Sequence, residues 1–304
     1  MKTIQKNKDK KEDIEITKVV IPAAGFGTRF LPLTKAIPKE MIPVLSKPSI
    51  QYGVEECIDS GIRNFFFITG KAKTAIANYF DPHVALDVFL KERNKSGLVD
   101  SVDEICKKAH FNYVRQPQAL GLGHAVLMAK HSINNEFFCV LLPDDIMACK
   151  KESPCIGELM KIAKRENASV IAVQEVPMEK VSSYGVVTIT KEIEPGVYEI
   201  SSLVEKPKRE DAPSNLAIVG RYVLSDKLFS SLEAIMEDNV GEIQLTDGIN
   251  HMAQNGEKII AYKIKGTRYD TGNVFGWLRA NIGTALADPM YADYIKNLFK
   301  ELTN

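Results

Sequence analysis

The feature that most constrains this chain is a short β-branched run that stops at a glycine-rich loop. Thr17 to Pro22 reads TKVVIP, and Ala23 to Phe30 reads AAGFGTRF. The first segment suits a buried strand, and the second cannot continue it. A strand that feeds directly into a Gly-rich loop is how nucleotide-binding α/β folds begin. Gly25 and Gly27 let the backbone turn sharply and bring N–H groups close to an anion. Arg29 adds a planar positive fork suited to phosphate oxygens. The loop lacks the Gly-Lys-Ser/Thr ending of a Walker A motif, and a dinucleotide fingerprint would need a third glycine where Phe30 stands. A GxG alone often marks only a tight turn. The continuation adds weight: Arg29, Lys35 and Lys39 lie within eleven residues, stiffened by Pro32, Pro38 and Pro43. Such a block suits a polyphosphate whose charge must be spread.

The rest of the first half alternates strand and helix. Helices are expected at Ser49 to Ser60, stopped by Gly61, and at Ala72 to Tyr79, broken at Asp81-Pro82. Strands are expected at Phe65 to Thr69, His110 to Val114 and Phe137 to Leu142. A helix from Gly123 to Ser132 separates the last two. A helix from Ser153 to Asn167 and a strand from Ala168 to Val173 follow. The charged, helix-periodic segment from Ala85 to Lys108 reads as an insertion or a covering layer. This alternation predicts an α/β, Rossmann-like fold with a mixed, mostly parallel sheet flanked by helices. The second half changes character. Val186 to Thr190, Val197 to Glu205 and Leu216 to Leu224 read as antiparallel strands or an added subregion. Helices at Asp226 to Met236 and Gln244 to Gln254, a strand at Lys258 to Lys263, and a helical segment from Asn273 onward complete the reading. Without an internal repeat or linker, residues 17–304 read as a single domain behind a solvated charged tail, residues 1–16.

Composition removes several function classes. The 39 Lys+Arg balance 39 Asp+Glu, which leaves no bulk electrostatic attraction to nucleic acid or to an anionic membrane. No apolar run approaches the roughly 18 residues of a spanning helix, and the charged opening MKTIQKNKDKKEDIEI is no signal peptide. Five cysteines, Cys57, Cys106, Cys139, Cys149 and Cys155, show no CxxC spacing. They read as free thiols in a reducing cytoplasm, and no Cys/His spacing suggests zinc.

A set of blocks then identifies a resemblance. Gly25-Phe26-Gly27-Thr28-Arg29 with Pro38-Lys39-Glu40-Met41 resembles the signature of the sugar-nucleotide pyrophosphorylase family. Further blocks are similar to its bacterial UTP–glucose-1-phosphate uridylyltransferases. They are Arg115-Gln116, Gly121-Leu122-Gly123-His124-Ala125, Leu142-Pro143-Asp144, Tyr184-Gly185-Val186-Val187, Val204-Glu205-Lys206-Pro207, the run from Pro213 to Tyr222, and Glu242 to Asp247. The blocks fall in family order between residues 17 and 290.

The resemblance implies a Mg²⁺-assisted transfer of UMP from UTP to glucose 1-phosphate, with UDP-glucose and pyrophosphate as products. It implies that Arg29 and Lys39 hold the reacting phosphates as the catalytic cations. The nucleotide would meet Ala23, Ala24, Gly25, Gly27, Thr28, Gln116 and Gly121. Gln116 has an amide able to donate to and accept from a uracil edge. Gly185, Glu205, Lys206 and Asn215 would receive the sugar phosphate. Asp144 and Asp270 would bind Mg²⁺, a hard ion that favours oxygen. Asp145 competes with Asp144 for that role, and Asp144 could be a simple turn former before it. His124 opens a helix and either caps a phosphate or packs, while Glu242 and Asp247 stay unassigned. The rival readings are the same chemistry with dTTP or with another sugar 1-phosphate, a catalytically silent regulatory paralogue, and an NAD-dependent dehydrogenase. The lysine-rich continuation and the missing third glycine speak against the last. Trp277 and Phe299 in the C-terminal segment suit either a core or an oligomer contact. A homo-oligomer, dimer or tetramer, is the expectation.

Overall fold

The β-branched run forms β1 (Lys18–Ala23), with Val19, Val20 and Ile21 fully buried. The computed structural model describes residues 14–71, 73–238 and 241–303. After β1 come β2 (Pro43–Val44), β3 (Lys47–Pro48), α1 (Ser49–Asp59), β4 (Asn64–Thr69), α2 (Thr74–Phe80), α3 (Val84–Glu92), α4 (Asp100–Lys108), β5 (His110–Arg115), α5 (Leu122–Leu127) and β6 (Phe138–Leu141). The chain continues through β7 (Asp145–Ala148), α6 (Cys155–Glu166), β8 (Ser169–Glu175), β9 (Gly185–Glu194), β10 (Val197–Glu205), β11 (Leu216–Leu224) and α7 (Lys227–Asp238). It ends with α8 (Leu245–Gln254), β12 (Ile259–Lys263), β13 (Thr267–Asp270), α9 (Val274–Ala287) and α10 (Pro289–Thr303).

One nine-stranded sheet in the order β5-β4-β1-β6-β11-β8-β12-β10-β9 carries the described fold. The strands of the alternating first half are parallel, as expected. The sheet as a whole is mixed: seven of its nine strands run in one direction, and β10 and β11 run in the other. β11 runs antiparallel to both of its neighbours, β6 and β8, while β8 and β12 are parallel. β12, β10 and β9 are antiparallel, and β9 also meets β11 where Val186 faces Ala217. The reason is connection length. Pro195-Gly196 alone joins β9 to β10, with Gly196 at φ 83°, and a link this short closes only an antiparallel hairpin.

The central strands of the sheet are buried on both faces, and residues alternate between them, while the edge strands β5 and β9 are largely exposed. Val19, Ile21, Phe65 and Phe67 enter one apolar cluster together with Ile50 and Val54 of α1 and Leu159 of α6. Val20, Phe66, Ile68 and Val140 enter another with Val126 of α5, Leu228 of α7 and Ile249 of α8. The expected covering segment divides into α3 and α4, interrupted at Asn94, whose φ is 53°. Ile105 of α4 reaches the core, whereas Val84, Val88 and Phe89 of α3 stay exposed. Ile16 is buried and Ile14 packs against the same cluster, so the packed chain begins inside the segment read as a solvated tail. Residues 1–13, and Ala72 at the start of the helix expected there, lie outside the described residues.

The C-terminal helices divide between core and surface. Trp277 joins Val44, Ile146 and Ala280 in a small cluster and donates its indole N–H to Pro43 O at 2.7 Å. Phe275, Met290 and Tyr294 are exposed. All five cysteines are free. Among the described residues, no helix is long and apolar enough to cross a membrane.

Candidate active site

The ends of β1, β6, β10 and β13 converge on one cleft with two halves. One half, about 410 Å³, is lined by Ala24, Gly25, Gly27, Thr28, Lys39, Gln116 and Gly121, with Glu40, Leu122 and Glu242. The other, about 340 Å³, is lined by Arg29, Gly185, Glu205, Lys206 and Asp270, with Tyr184, Thr246 and Arg268. They share Leu122, Leu142 and Asp144.

The loop after β1 follows from its glycines. Gly27 sits in the left-handed region at φ 67°, and its carbonyl accepts from Thr34 Oγ1 at 2.8 Å. The chain then passes through short 3-10 turns instead of the helix its three prolines would break, the last at Lys39–Met41. Glu40 anchors this turn from beneath. Its carboxylate is fully buried against Lys73 at 2.8 Å, and its carbonyl accepts from Ser49 Oγ at 3.0 Å. Lys39 is thereby presented to the cleft, where it forms an ion pair with Asp144. Burial alone would raise the Asp144 carboxyl, but the Lys39 ammonium and its hydrogen bond outweigh it and hold it below its ordinary value. Burial would likewise lower the Lys39 ammonium, yet Asp144 and Glu40 carry it above its ordinary value.

The two acids after β6 have different surroundings. The Asp145 carboxylate is spent: Arg268 reaches Oδ1 with Nε at 2.8 Å and Nη2 at 2.6 Å, and the Gly220 N–H donates to Oδ2 at 2.9 Å. Asp144 alone faces the cleft junction with Lys39. The small β7–β13 ladder pairs Asp145 with Asp270 in register, and Thr271 donates to Asp144 O from both N and Oγ1, at 2.7 and 2.9 Å. These bonds bring the carboxylates of Asp144 and Asp270 together over Gly272. A Cβ placed on that glycine would stand 2.8 Å from Asp144 Oδ2 and 3.0 Å from Asp270 Oδ1. Two hard oxygen donors at one point fit a Mg²⁺-type ion that takes its remaining ligands from phosphate and water. Among the described residues, no group of three His, Cys, Asp or Glu side chains is arranged to hold a metal unaided.

Beneath this turn lies a fully buried arginine. Arg221 donates to Leu142 O at 3.3 Å and to Asp145 O at 2.9 Å, one carbonyl on each side of Asp144. Its charge is matched by Glu56 Oε2 at 2.7 Å, and Glu56 Oε1 accepts from the Ile156 N–H at 2.9 Å.

In the second half, the β9–β10 register sets Gly185 opposite Glu205. Thr246 Oγ1 donates to Glu205 Oε2 at 2.8 Å and fixes that carboxylate. A Cβ on Gly185 would lie 3.0 Å from Glu205 Oε2, so the glycine leaves the acid room. Lys206 takes a left-handed φ of 44°, donates its N–H to Tyr184 O at 3.0 Å, and places its ammonium 3.2 Å from Glu205.

In the first half, Gly121 has φ 99°, and a Cβ there would meet Ile243 O at 2.5 Å, so only glycine fits. Gly123 N donates to Ile243 O, and Ile243 N donates to Leu120 O, both at 2.8 Å. Gln116 is buried beside them, and its Nε2 lies 3.3 Å from Gly121 O and 2.9 Å from His124 Nδ1. His124 packs against Gln116.

Two expected site residues are not gathered. Ala23 shares the pleat face of Val19 and Ile21 and is buried in the core. Asn215 is exposed ahead of β11 and lines neither half, and its carbonyl accepts from Val176 N at 3.0 Å. Thr246, Tyr184, Arg268 and the Arg221–Glu56 pair had no assigned role in the sequence reading. Arg268 lies two residues before Asp270 and could have been flagged by that proximity.

Comparison with known proteins places the chain in a family. The pattern of the nucleotidyl transferase family matches residues 18–285. A UTP–glucose-1-phosphate uridylyltransferase of Staphylococcus epidermidis is 45% identical over 288 residues, covering 95% of this chain and 99% of that protein. Among solved structures, a UDP-glucose pyrophosphorylase complexed with UDP-glucose is similar at 42% identity and TM-score 0.81, covering 90% of this chain and 100% of the other. A UTP-bound UGPase from Acinetobacter baumannii matches at 38% identity and TM-score 0.87, covering 95% of this chain and 100% of that chain. The chain belongs to the nucleotidyl transferase family and, within it, to the UTP–glucose-1-phosphate uridylyltransferases.

Proposed function

We propose that this enzyme transfers UMP from UTP to glucose 1-phosphate, giving UDP-glucose and pyrophosphate. The observation that carries this reading is the two-part cleft: a glycine loop with Gln116 on one side, Glu205-Lys206 on the other, and the Lys39–Asp144 pair where they meet. In this reading a phosphate oxygen of glucose 1-phosphate attacks the α-phosphorus of UTP in line. The bond from that phosphorus to the pyrophosphate oxygen breaks, and pyrophosphate leaves with the electron pair. Both reactants are anionic, so the protein's task is alignment and charge neutralisation, without a covalent nucleophile.

Arg29 and Lys39 are the catalytic cations, carried by two 3-10 turns that follow the glycines of the loop. Ala24, Gly25, Gly27 and Thr28 offer backbone to the nucleotide, Gln116 meets the base, and Gly121 lets it lie close. Lys206 takes the sugar phosphate, while Glu205, oriented by Thr246, accepts from sugar hydroxyls beside Gly185. Asp144 and Asp270 would hold Mg²⁺, since Asp145 is already engaged by Arg268 and Gly220. The ion would supply a concentrated positive charge to phosphate oxygens. Ala23 and Asn215 have no part in this reading.

The chain from Ile14 onward acts as one catalytic domain, because both halves of the cleft adjoin the same nine-stranded sheet. Five free thiols support a cytoplasmic setting. Exposed Phe275, Met290 and Tyr294 support a homo-oligomer, dimer or tetramer, built through the C-terminal helices. The test of the reaction is ³¹P NMR of purified protein with UTP, glucose 1-phosphate and Mg²⁺. Growth of UDP-glucose and pyrophosphate signals in equal amounts is expected. A folded sample that leaves both substrates unchanged would favour the silent paralogue.

A further inference from the structure

We infer that His124 is a specificity-determining positioning residue: its ring fixes which way the Gln116 amide points, and so makes the base site accept a nucleobase that donates at N3 and reject one that accepts there. The inference rests on the proposed reading that Gln116 faces the base.

The argument is a chain of donors and acceptors. The Gly121 carbonyl can only accept a hydrogen bond. Of the two polar atoms of the Gln116 amide, the nitrogen must therefore face it, at 3.3 Å. That same nitrogen lies 2.9 Å from His124 Nδ1. An amide nitrogen donates, so Nδ1 must accept, and the ring proton belongs on Nε2. Burial lowers the His124 pKa below its ordinary value, in the direction of the neutral ring that this arrangement uses. The backbone cannot give way, because Gln116 N is tied to Thr69 O at 3.0 Å and Gly123 N to Ile243 O at 2.8 Å.

Both amide hydrogens are thus committed to the protein. Gln116 Oε1 takes part in neither contact, and it is not one of the sealed, partnerless polar atoms among the described residues. Since Gln116 lines the nucleotide half of the cleft, this oxygen is the group left for the ligand, and it is an acceptor only. Uracil and thymine carry N–H at N3 and complement it. Cytosine carries a lone pair at N3 and opposes it. An amide free to rotate would serve either base by presenting oxygen to one and nitrogen to the other. His124 removes that freedom. Discrimination of this kind follows from leaving a buried polar group mispaired with the wrong substrate.

The test compares kcat/KM for UTP, dTTP and CTP in the full-length enzyme and three variants. His124→Leu keeps the bulk and removes the acceptor. It should lower the UTP-to-CTP preference about tenfold or more, with dTTP following UTP. His124→Asn places an amide oxygen near the position of Nδ1 and should restore most of the preference, which a purely structural role would not predict. Gln116→Leu should abolish the preference. A folded His124→Leu enzyme with wild-type preference, beside a Gln116→Leu enzyme that has lost it, would overturn the role of His124 alone. An unchanged preference in Gln116→Leu would instead remove the reading that Gln116 faces the base. If His124→Leu does not fold, the ring ¹⁵N shifts of wild-type protein decide, with the His124 signals identified by their loss in His124→Asn. Protonated Nε2 with bare Nδ1 is expected, and the opposite tautomer would overturn the inference.

Discussion

Lys39 and Asp144 stand 105 residues apart in the chain and form an ion pair where the two halves of the cleft meet. The pair joins the glycine-loop turn, which carries the cation, to the end of β6, which carries the acid. Removing Lys39 should lower turnover on the order of 100-fold or more, the loss typical of one preorganised electrostatic group. Lys39 is partly exposed, so Lys39→Ala should keep the wild-type circular dichroism spectrum. Wild-type kcat in that variant would remove Lys39 from the reaction.

The same pair has a pH signature in the free protein. Lys39 holds the Asp144 carboxyl below its ordinary value against the opposing effect of burial. A carboxyl depressed on folding contributes stability that is present above its unfolded pKa and is lost as pH falls through its folded value. Unfolding in denaturant across the acid range should therefore show a shallower acid-side loss in Lys39→Ala than in wild type. Equal acid slopes would indicate that the two groups are not coupled in solution.

Lys206 and Glu205 line only the half away from Gln116. Lys206→Ala should raise KM for glucose 1-phosphate several-fold more than KM for UTP. Steady-state kinetics with each substrate varied in turn decides this, and equal rises would argue against separate subsites.

Gly121 and Gly25 offer a matched stability comparison. A methyl at Gly121 meets Ile243 O at 2.5 Å with φ at 99°, whereas nothing lies within 4 Å of one at Gly25. Gly121→Ala should destabilise by about 1–3 kcal/mol through backbone strain and weaken nucleotide binding. Gly25→Ala should stay within about 0.5 kcal/mol of wild type in stability. Denaturant midpoints measure both.

Arg221→Met leaves Glu56 buried without its partner, which should cost about 3–5 kcal/mol. Adding Glu56→Gln should recover part of that loss. A double variant no more stable than the single one would mean that the hydrogen bonds of Arg221 to Leu142 O and Asp145 O matter more than its charge.

The strand-then-glycine-loop opening was legible because β1 and its flanking residues carry both an apolar run and a turn signal. The parallel order of β1, β4, β5 and β6 followed from their alternation with helices. The β7–β13 ladder was not legible: Asp145–Ala148 and Thr267–Asp270 are four residues each, the first with only three apolar residues in a row and the second with no apolar run. Yet that ladder is what brings Asp270 to Asp144. Pro143-Asp144-Asp145 presents two equal acids in one dimension, and only the distant partners Arg268 and Gly220 distinguish them. Ala23 could have been placed by its own strand period, since it shares a face with the core residues Val19 and Ile21. Thr246 bonds Glu205 from 41 residues away, and a contact between such separate segments leaves no local trace in sequence.

The most direct test of the central claim is pyrophosphate release by purified protein with glucose 1-phosphate and Mg²⁺, comparing UTP, dTTP, CTP, GTP and ATP. Rapid release with UTP, little with CTP or the purine nucleotides, and loss of all release on chelating the metal are the predicted results. No release with any nucleotide, from a folded sample with metal present, would contradict the account and leave the glycine loop as a binding site alone.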